Sequence, residues 1–244
     1  MAALSKLTVV ELKLFLRDPG SVLISLGLPT LLLVVLGSIP VVREPSPQYG
    51  GQRFIDFFVP SIAIIALVML AFQVLPTYLG TYREKGVLRR MSTTPVHPAK
   101  LLLAQLVTWL LMATLATALL IAVARLAFAV PLPRHAAGFA LALLLGTSAV
   151  FALGLVVAAV APSARAATGI GALMFITVFF FGGVYLPRNI LPDIIVRIGQ
   201  FVPPGVEAIQ DAWTGTGPQP LHLAAMAAIT VAAGTAAARL FRWE

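Results

Sequence analysis

The sequence predicts an all-α integral membrane protein, one domain over residues 1–244 with six transmembrane helices. Three further elements complete the expected architecture. An interfacial amphipathic helix (4–17) precedes the spans, a short basic insert separates spans two and three, and an outer re-entrant helical hairpin (186–213) precedes the last span. Three observations carry this reading. First, only 11% of residues are charged and 59% are hydrophobic, with a mean hydropathy of +0.97. Soluble domains carry roughly 25% charged residues, so this chain has too few charges to cover a globular surface. Second, six windows hold no Asp, Glu, Lys or Arg: 19–42, 57–82, 101–124, 135–164, 166–187 and 212–238. A helix needs about 20 apolar residues to cross the hydrocarbon core, and every window is long enough. Barrel strands would alternate polar and apolar residues over about 10 positions, and these windows do not. Third, a compact basic insert, Thr81 to Lys100, lies between the second and third windows.

Lys and Arg placement sets the expected orientation. Six spans put both termini on one side. That side, with the insert, holds 11 of the 17 basic residues: Lys6, Lys13, Arg17, Arg83, Lys85, Arg89, Arg90, Lys100, Arg165, Arg239 and Arg242. The positive-inside rule places it in the cytoplasm. The same rule absorbs the net charge of +8, so nucleic acid is not an expected partner.

Element by element, the chain reads as follows. In 4–17, Lys6, Lys13 and Arg17 share a face and Leu4, Leu7 and Leu14 cover much of the rest, a pattern suited to the headgroup interface. No small-residue cleavage site follows, so the first span is expected to stay in the mature protein. Asp18-Pro19-Gly20 turns the chain into span one (21–42), where Pro29 removes a backbone hydrogen bond. Span two (56–80) is expected to end near Pro76. Span three (99–124) starts after His97-Pro98, with proline suited to the first helical position. Spans four (137–160) and five (166–185) join through the tight turn Pro162-Ser163-Ala164-Arg165. Span six (219–239) carries Ala224, Ala228, Ala232 and Ala236 at four-residue spacing, which allows close helix approach within the chain or between copies. The segment 186–213 is too long and apolar for a plain loop and too short for two crossings. It reads as two short helices tucked into the outer interface, a gate or a passive cap.

Several chemistries are absent from the pattern. There is no cysteine, which removes disulfides, thiolate catalysis and cysteine metal sites. His97, His135 and His222 lie far apart without ligand spacing, so no metal site is expected. No G-x-x-x-x-G-K-[ST] phosphate loop occurs. Asp56 sits at an outer helix end, and Glu207 and Asp211 fall in the hairpin. No carboxylate is placed at mid-membrane, where it would suggest a proton relay. No nucleophile–base pair points to an enzyme.

The insert Tyr82-Arg83-Glu84-Lys85-Gly86-Val87-Leu88-Arg89-Arg90-Met91, followed by Thr93-Thr94-Pro95-Val96, closely resembles the cytoplasmic loop of ABC-2 type transport permeases. These are the membrane subunits of bacterial ABC exporters related to daunorubicin-resistance and polysaccharide-export systems. The resemblance covers nearly the whole chain. It includes the outer hairpin pattern, here Gly183, Pro187, Leu191-Pro192 and Pro203, in the segment that also carries Glu207, and departs at Gly182, where many relatives carry a small polar residue. The resemblance implies that 87–94 is a coupling helix seated on a separate cytoplasmic ABC ATPase, which holds ATP and Mg. Arg83, Gly86, Thr94 and Pro95 belong to the same motif. Glu84, Arg89 and Arg90 would pair with charges on the partner, while Val87, Leu88 and Met91 would fill an apolar pocket there. It further implies a dimer of permeases in the bacterial cytoplasmic membrane, with spans one, two and five near a central path. That directs attention to Met69, Phe72, Gln73, Phe175, Phe179 and Phe180 as path residues suited to a drug-like amphiphile. A lipid-linked glycan as cargo, and an autonomous channel or ion-coupled carrier, remain the alternatives.

Overall fold

The computed structural model describes residues 2–47, 51–93, 98–182, 192–215 and 217–241. These residues form a helical bundle, and no strand longer than the single Pro45–Arg53 bridge occurs among them. Among the described residues, five helices are long and apolar enough to cross a membrane: Phe54–Glu84, Ala99–Phe128, Ala136–Val160, Ala164–Gly182 and Pro220–Leu240. The first apolar window gives a shorter helix instead, and the local chemistry explains why.

Helix α1 (Ala2–Leu16) ends at Arg17, and Asp18 begins the next helix. Asp18 is extended and its Oδ1 accepts from Gly20 N at 3.2 Å, with Pro19 at the first helical position. Helix α2 (Pro19–Val22) runs through a π-helical turn, Leu23–Gly27, into α3 (Leu28–Gly37). The sequence extends this span to residue 42. Ile39 is extended because it precedes Pro40, and Pro40–Arg43 form a 3-10 turn, so the helix stops at Gly37.

The second apolar window departs in the opposite sense. Helix α4 (Phe54–Met69) passes through a second π-helical turn, Leu70–Val74, into α5 (Leu75–Glu84). The expected end near Pro76 is not an end. Pro76 has no N–H to give to Phe72 four residues earlier, and Leu75 N bonds instead to Leu70 O, five residues back. The π-turn absorbs the missing donor and the helix continues two turns further. Thr77 Oγ1 donates to Gln73 O at 2.7 Å, one turn back. The first π-turn repeats this arrangement: Leu28-Pro29-Thr30 follows it, and Thr30 Oγ1 donates to Leu26 O at 2.9 Å.

Helix α6 (Val87–Ser92) follows α5, and α7 (Pro98–Phe128), α8 (Ala136–Val160), α9 (Ala164–Gly182), α10 (Asp193–Gly199), α11 (Val206–Thr214) and α12 (Pro220–Leu240) complete the order. Helices α4–α5 and α8 hold most of the core, while α9 and α12 lie at its periphery. Large apolar side chains such as Leu23, Leu126, Leu173, Ile176 and Val231 stand on the outer surface. Apolar exposure on this scale suits a lipid surround rather than water.

Helix α12 packs on α8, but not through its four-spaced alanines. Ala224, Ala228 and Ala232 are exposed, whereas His222, Met226, Ala233 and Ala237 are buried. Strict four-residue spacing drifts about 40° per step around a helix of 3.6 residues per turn. The buried stripe limits the drift, because the seven-residue step from Met226 to Ala233 turns back about 20° between the two four-residue steps.

At the end of the bundle away from α6, Arg53 joins three segments. Its guanidinium pairs with Asp56 at 2.6 Å and donates to Phe128 O at 3.1 Å and Ala129 O at 3.2 Å, closing the end of α7 onto the start of α4. The two short helices expected near this end exist, and they differ in burial. Helix α10 is largely exposed at Ile194 and Ile198, while α11 buries Val206, Ala208, Ile209, Ala212 and Trp213. Arg134 N and His135 N donate to Trp213 O and Ala212 O, and Phe139 packs edge-on against Trp213 at 5.4 Å. The hairpin residues Gly183, Pro187 and Leu191 lie outside the described residues. Pro192 precedes α10, Pro203 is buried ahead of a cis bond to Pro204, and Glu207 is half-buried in the first turn of α11.

Candidate functional site: the basic insert and the helices beneath it

Gly86 makes the insert possible. Its φ of 66° and ψ of 16° are left-handed, which a residue with a Cβ adopts only at a cost of about 1 kcal/mol. Gly86 N caps the end of α5 through Arg83 O at 3.0 Å, and Gly86 O receives Arg90 N at 3.1 Å from the new helix. One residue thus closes α5 and opens α6, turning the chain sharply at the end of the bundle.

Helix α6 has two faces. Leu88 is only 1% exposed and packs into the chain's own core, with Met91 half-buried against it. Its apolar side therefore holds the helix to this protein, which reassigns Leu88 from the partner-filling role implied by the family resemblance. Val87 is half-buried, and Arg89 and Arg90 are exposed. Thr94 and Pro95 lie outside the described residues.

Arg83 and Glu84 find partners inside the chain. Arg83 Nη1 donates to the carbonyl of Ala161, at the end of α8. Glu84 Oε1 accepts from Ala164 N at 2.9 Å, the first residue of α9. Cation and carboxylate thereby meet helix ends of opposite partial charge, since a helix C-terminus is negative and an N-terminus positive. Sequence reasoning turned Glu84 outward because it weighed the insert against a partner and not against the α8–α9 turn.

Beneath the insert lies a buried polar cluster that the sequence did not bring forward. Glu11 of α1 is 5% exposed, and its Oε2 accepts from Tyr82 OH at 3.1 Å. Tyr78 OH and Tyr82 OH are 2.6 Å apart. Burial pushes the Glu11 carboxyl above the ordinary carboxylate range, while the nearby Gln105 amide and the Tyr82 hydroxyl oppose the rise. Gln105 Nε2 itself completes no hydrogen bond within reach, and Gln105 Oε1 accepts from Trp109 Nε1 at 3.1 Å. Trp109 meets Phe15 of α1 at 5.3 Å, Tyr78 of α5 at 6.1 Å and Phe151 of α8 at 6.2 Å. These contacts seat α1 on the bundle. One signal in the sequence does point to Glu11: it lies four residues from both Leu7 and Phe15, in the middle of an apolar arc.

The expected path residues separate. Phe72 is fully buried and Phe179 nearly so; Phe179 stacks on the half-buried Phe175 at 4.3 Å. Gln73 is half-buried, and Phe180 is exposed beside Phe181. Met69 lines a small apolar crevice between the first two apolar helices, with Ile24, Leu28, Pro29, Leu32 and Leu70. Both π-turns border this crevice. Among the described residues no cluster of His, Asp and Glu could hold a metal ion.

The fold and the insert define a multi-pass helical membrane protein with a short basic helix held at one end by a buried apolar anchor. The family model for the ABC-2 type transporter matches residues 3–205, and the chain belongs to that family. It is accordingly a membrane subunit of an ABC transporter, a transport component rather than a catalytic one, and the family implies an ABC ATPase as its partner. No curated protein matches the chain.

Proposed function

We propose that this chain is the permease half of an ATP-driven exporter that moves a hydrophobic or amphipathic, drug-like compound out across a bacterial cytoplasmic membrane. Two copies form the permease, each seated on a cytoplasmic ATPase that binds ATP and Mg. The observation that carries this reading is the geometry of α6. Its apolar side is anchored in the chain through Leu88, and Arg89 and Arg90 project from the end of the bundle. A helix held in this way passes a push from a docked protein into the bundle as a rigid-body displacement. The crevice at Met69 and the exposed Phe180 favour an apolar cargo. The helix from Pro19 to Gly37 rises about 28 Å, close to the hydrocarbon thickness, and supplies the sixth crossing. Both termini then lie in the cytoplasm, and Lys6 and Lys13 of α1, with Arg17 just past its end, all exposed, face anionic lipid headgroups.

Charge reversal at Arg89 and Arg90 tests the docking. Arg89→Glu with Arg90→Glu is expected to lower affinity for the ATPase by about 100-fold, from like-charge juxtaposition of several kcal/mol. Co-purification and ATP-dependent efflux of a lipophilic dye should both fail, while the permease alone keeps its melting temperature. Unchanged assembly would refute the docking role. A reporter fused after Glu244 tests the topology: it should be active only in the cytoplasm, and an external signal would reject the six-span arrangement.

A further inference from the structure

We infer that Arg83 and Glu84 are positioning residues of the transport cycle: they staple the α8–α9 turn to the root of the basic insert, so that α5 and the adjoining half of α9 move as one body. The inference rests on the coupling role proposed for α6 and adds where its stroke goes. In the chain trace α6 connects only to α5 and α7. The contacts show a third route.

That route is a seam of contacts between α5, with the π-turn before it, and α9. At the insert end, Arg83 holds the carbonyl of Ala161, the residue that caps the end of α8, and Glu84 the first N–H of α9. Ser163 already caps α9 from within, its Oγ accepting from Ala166 N at 3.1 Å. The Glu84 carboxylate therefore takes a second N–H of the same helix start. One turn along, Gly80 lies against Ala164 so closely that an added Cβ would stand 2.7 Å from its Cα and 2.9 Å from its N. The next turn brings Thr77 Oγ1 and Thr168 Oγ1 to 3.0 Å. Further along, a Cβ on Gly171 would overlap the carbonyl oxygen of Phe72. Backbone touches backbone at two of these four levels, and polar groups lock the other two. A seam with so little side chain between its backbones has almost no room to slide.

The opposed charges of Arg83 and Glu84 give the staple its direction. Each side chain fits one helix end, and exchanging them would place a cation at a helix N-terminus and a carboxylate at a C-terminus. Displacement of α6 thus passes through Gly86 into α5 and, through the staple, into α9. Helix α9 reaches toward the hairpin: a Cβ on Gly199 of α10 would overlap the carbonyl oxygen of Phe181.

Spin labels test this directly in the cysteine-free chain. Lys85→Cys and Arg165→Cys, both at exposed positions, report the distance between the end of α5 and the start of α9. In nanodiscs, the chain alone is expected to give one narrow distance, and Glu84→Ala with Arg83→Ala to broaden it. In the complex with the ATPase, the wild-type distance should stay the same with and without a trapped ATP analogue. A distance that changes with nucleotide, or one unaffected by the double substitution, overturns the inference. The measurement on the chain alone needs no ATPase, so failure of the staple and failure of the coupling reading are separable.

A functional readout separates positioning from mere folding. Glu84→Ala is expected to lower ATP-driven efflux of a lipophilic dye by about tenfold, with ATP turnover within about twofold and the melting temperature retained. Adding a disulfide between Thr77→Cys and Thr168→Cys should restore efflux, and reduction should abolish the rescue. Efflux and ATP turnover falling together with the folded fraction would show a purely structural cap and also overturn the inference.

Discussion

Gly171→Ala is expected to destabilise the protein by about 3 kcal/mol, at the upper end of the range for overpacking, and Gly154→Ala by a similar amount. The π-turn at Leu70–Val74 turns two backbone carbonyls outward. A Cβ on Gly154 of α8 would overlap the oxygen of Ala71, and one on Gly171 of α9 would overlap that of Phe72. The glycines are therefore receptors for carbonyls displaced because Pro76 cannot donate. A flexible side chain can step aside from a methyl group; a carbonyl inside a helix cannot. Gly169 provides the internal control, since it lies in the same helix with nothing within 4 Å of an added Cβ. Gly169→Ala should be neutral or slightly stabilising, because alanine favours helix over glycine by up to about 1 kcal/mol. Thermal unfolding of the three variants in detergent gives the answer. Equal melting temperatures for Gly169→Ala and Gly171→Ala would show that the carbonyl contacts do not constrain the packing of α5 on α9.

The same region shows what could be seen in the sequence. The five long apolar helices were legible because absence of charge over 20 residues has one physical meaning in a chain this apolar. The start of α7 was legible because Pro98 suits a first helical position, whereas Asp18-Pro19-Gly20 read only as a turn and α2 begins within it, at Pro19. The fate of an interior proline was not. Pro40 ends a helix by constraining Ile39, while Pro76 leaves one intact, and the difference lies in whether a π-turn can be accommodated by neighbouring glycines. Those glycines are about 80 and 95 residues away in the chain. The internal partners of the charged residues were hidden for a related reason. Periodicity says which side of a helix a residue occupies but not what faces it. Glu84 reads as a partner-facing carboxylate until the α8–α9 turn appears beneath it, with Arg83 beside it on the same turn. Likewise the alanine ladder of α12 was a pattern in one helix, whereas the buried stripe is set by α8. For the basic insert, the motif itself was the clue, and its inward anchor Leu88 required the fold.

Glu11→Lys is expected to abolish folding of the permease, whereas Glu11→Gln should stabilise it at neutral pH. The site lies where α1 meets α5 and α7, among Tyr82, Gln105 and Phe15, with almost no solvent access. An ammonium group there would be desolvated, without a carboxylate partner among the described ion pairs, and would leave the Tyr82 hydroxyl without its acceptor. Breaking a buried charged contact in this manner costs about 3–5 kcal/mol, comparable to the whole stability of a marginal fold. Glutamine keeps an oxygen for Tyr82 and removes the cost of burying a charge. The pH dependence has a definite sign. Burial raises the folded-state pKa of Glu11 above its ordinary value of 4.5, so between those two pKa values the folded chain retains a proton that the unfolded chain has released. Stability from this group is complete below the ordinary value and is lost as pH rises toward the elevated one. Melting temperatures of the wild type should therefore fall as pH increases across that window, and those of Glu11→Gln should fall less. Parallel curves for the two proteins would mean that the carboxyl is already ionised in the folded chain. Parallel curves with a lower plateau for glutamine would mean further that Tyr82 and its neighbours hold the carboxylate more strongly than burial opposes it. The distinction bears on transport because α1 carries Glu11 and α5 leads directly from Tyr82 to the staple. A neutral Glu11 docks α1 against the element that receives the push, and an ionised one loosens that seat.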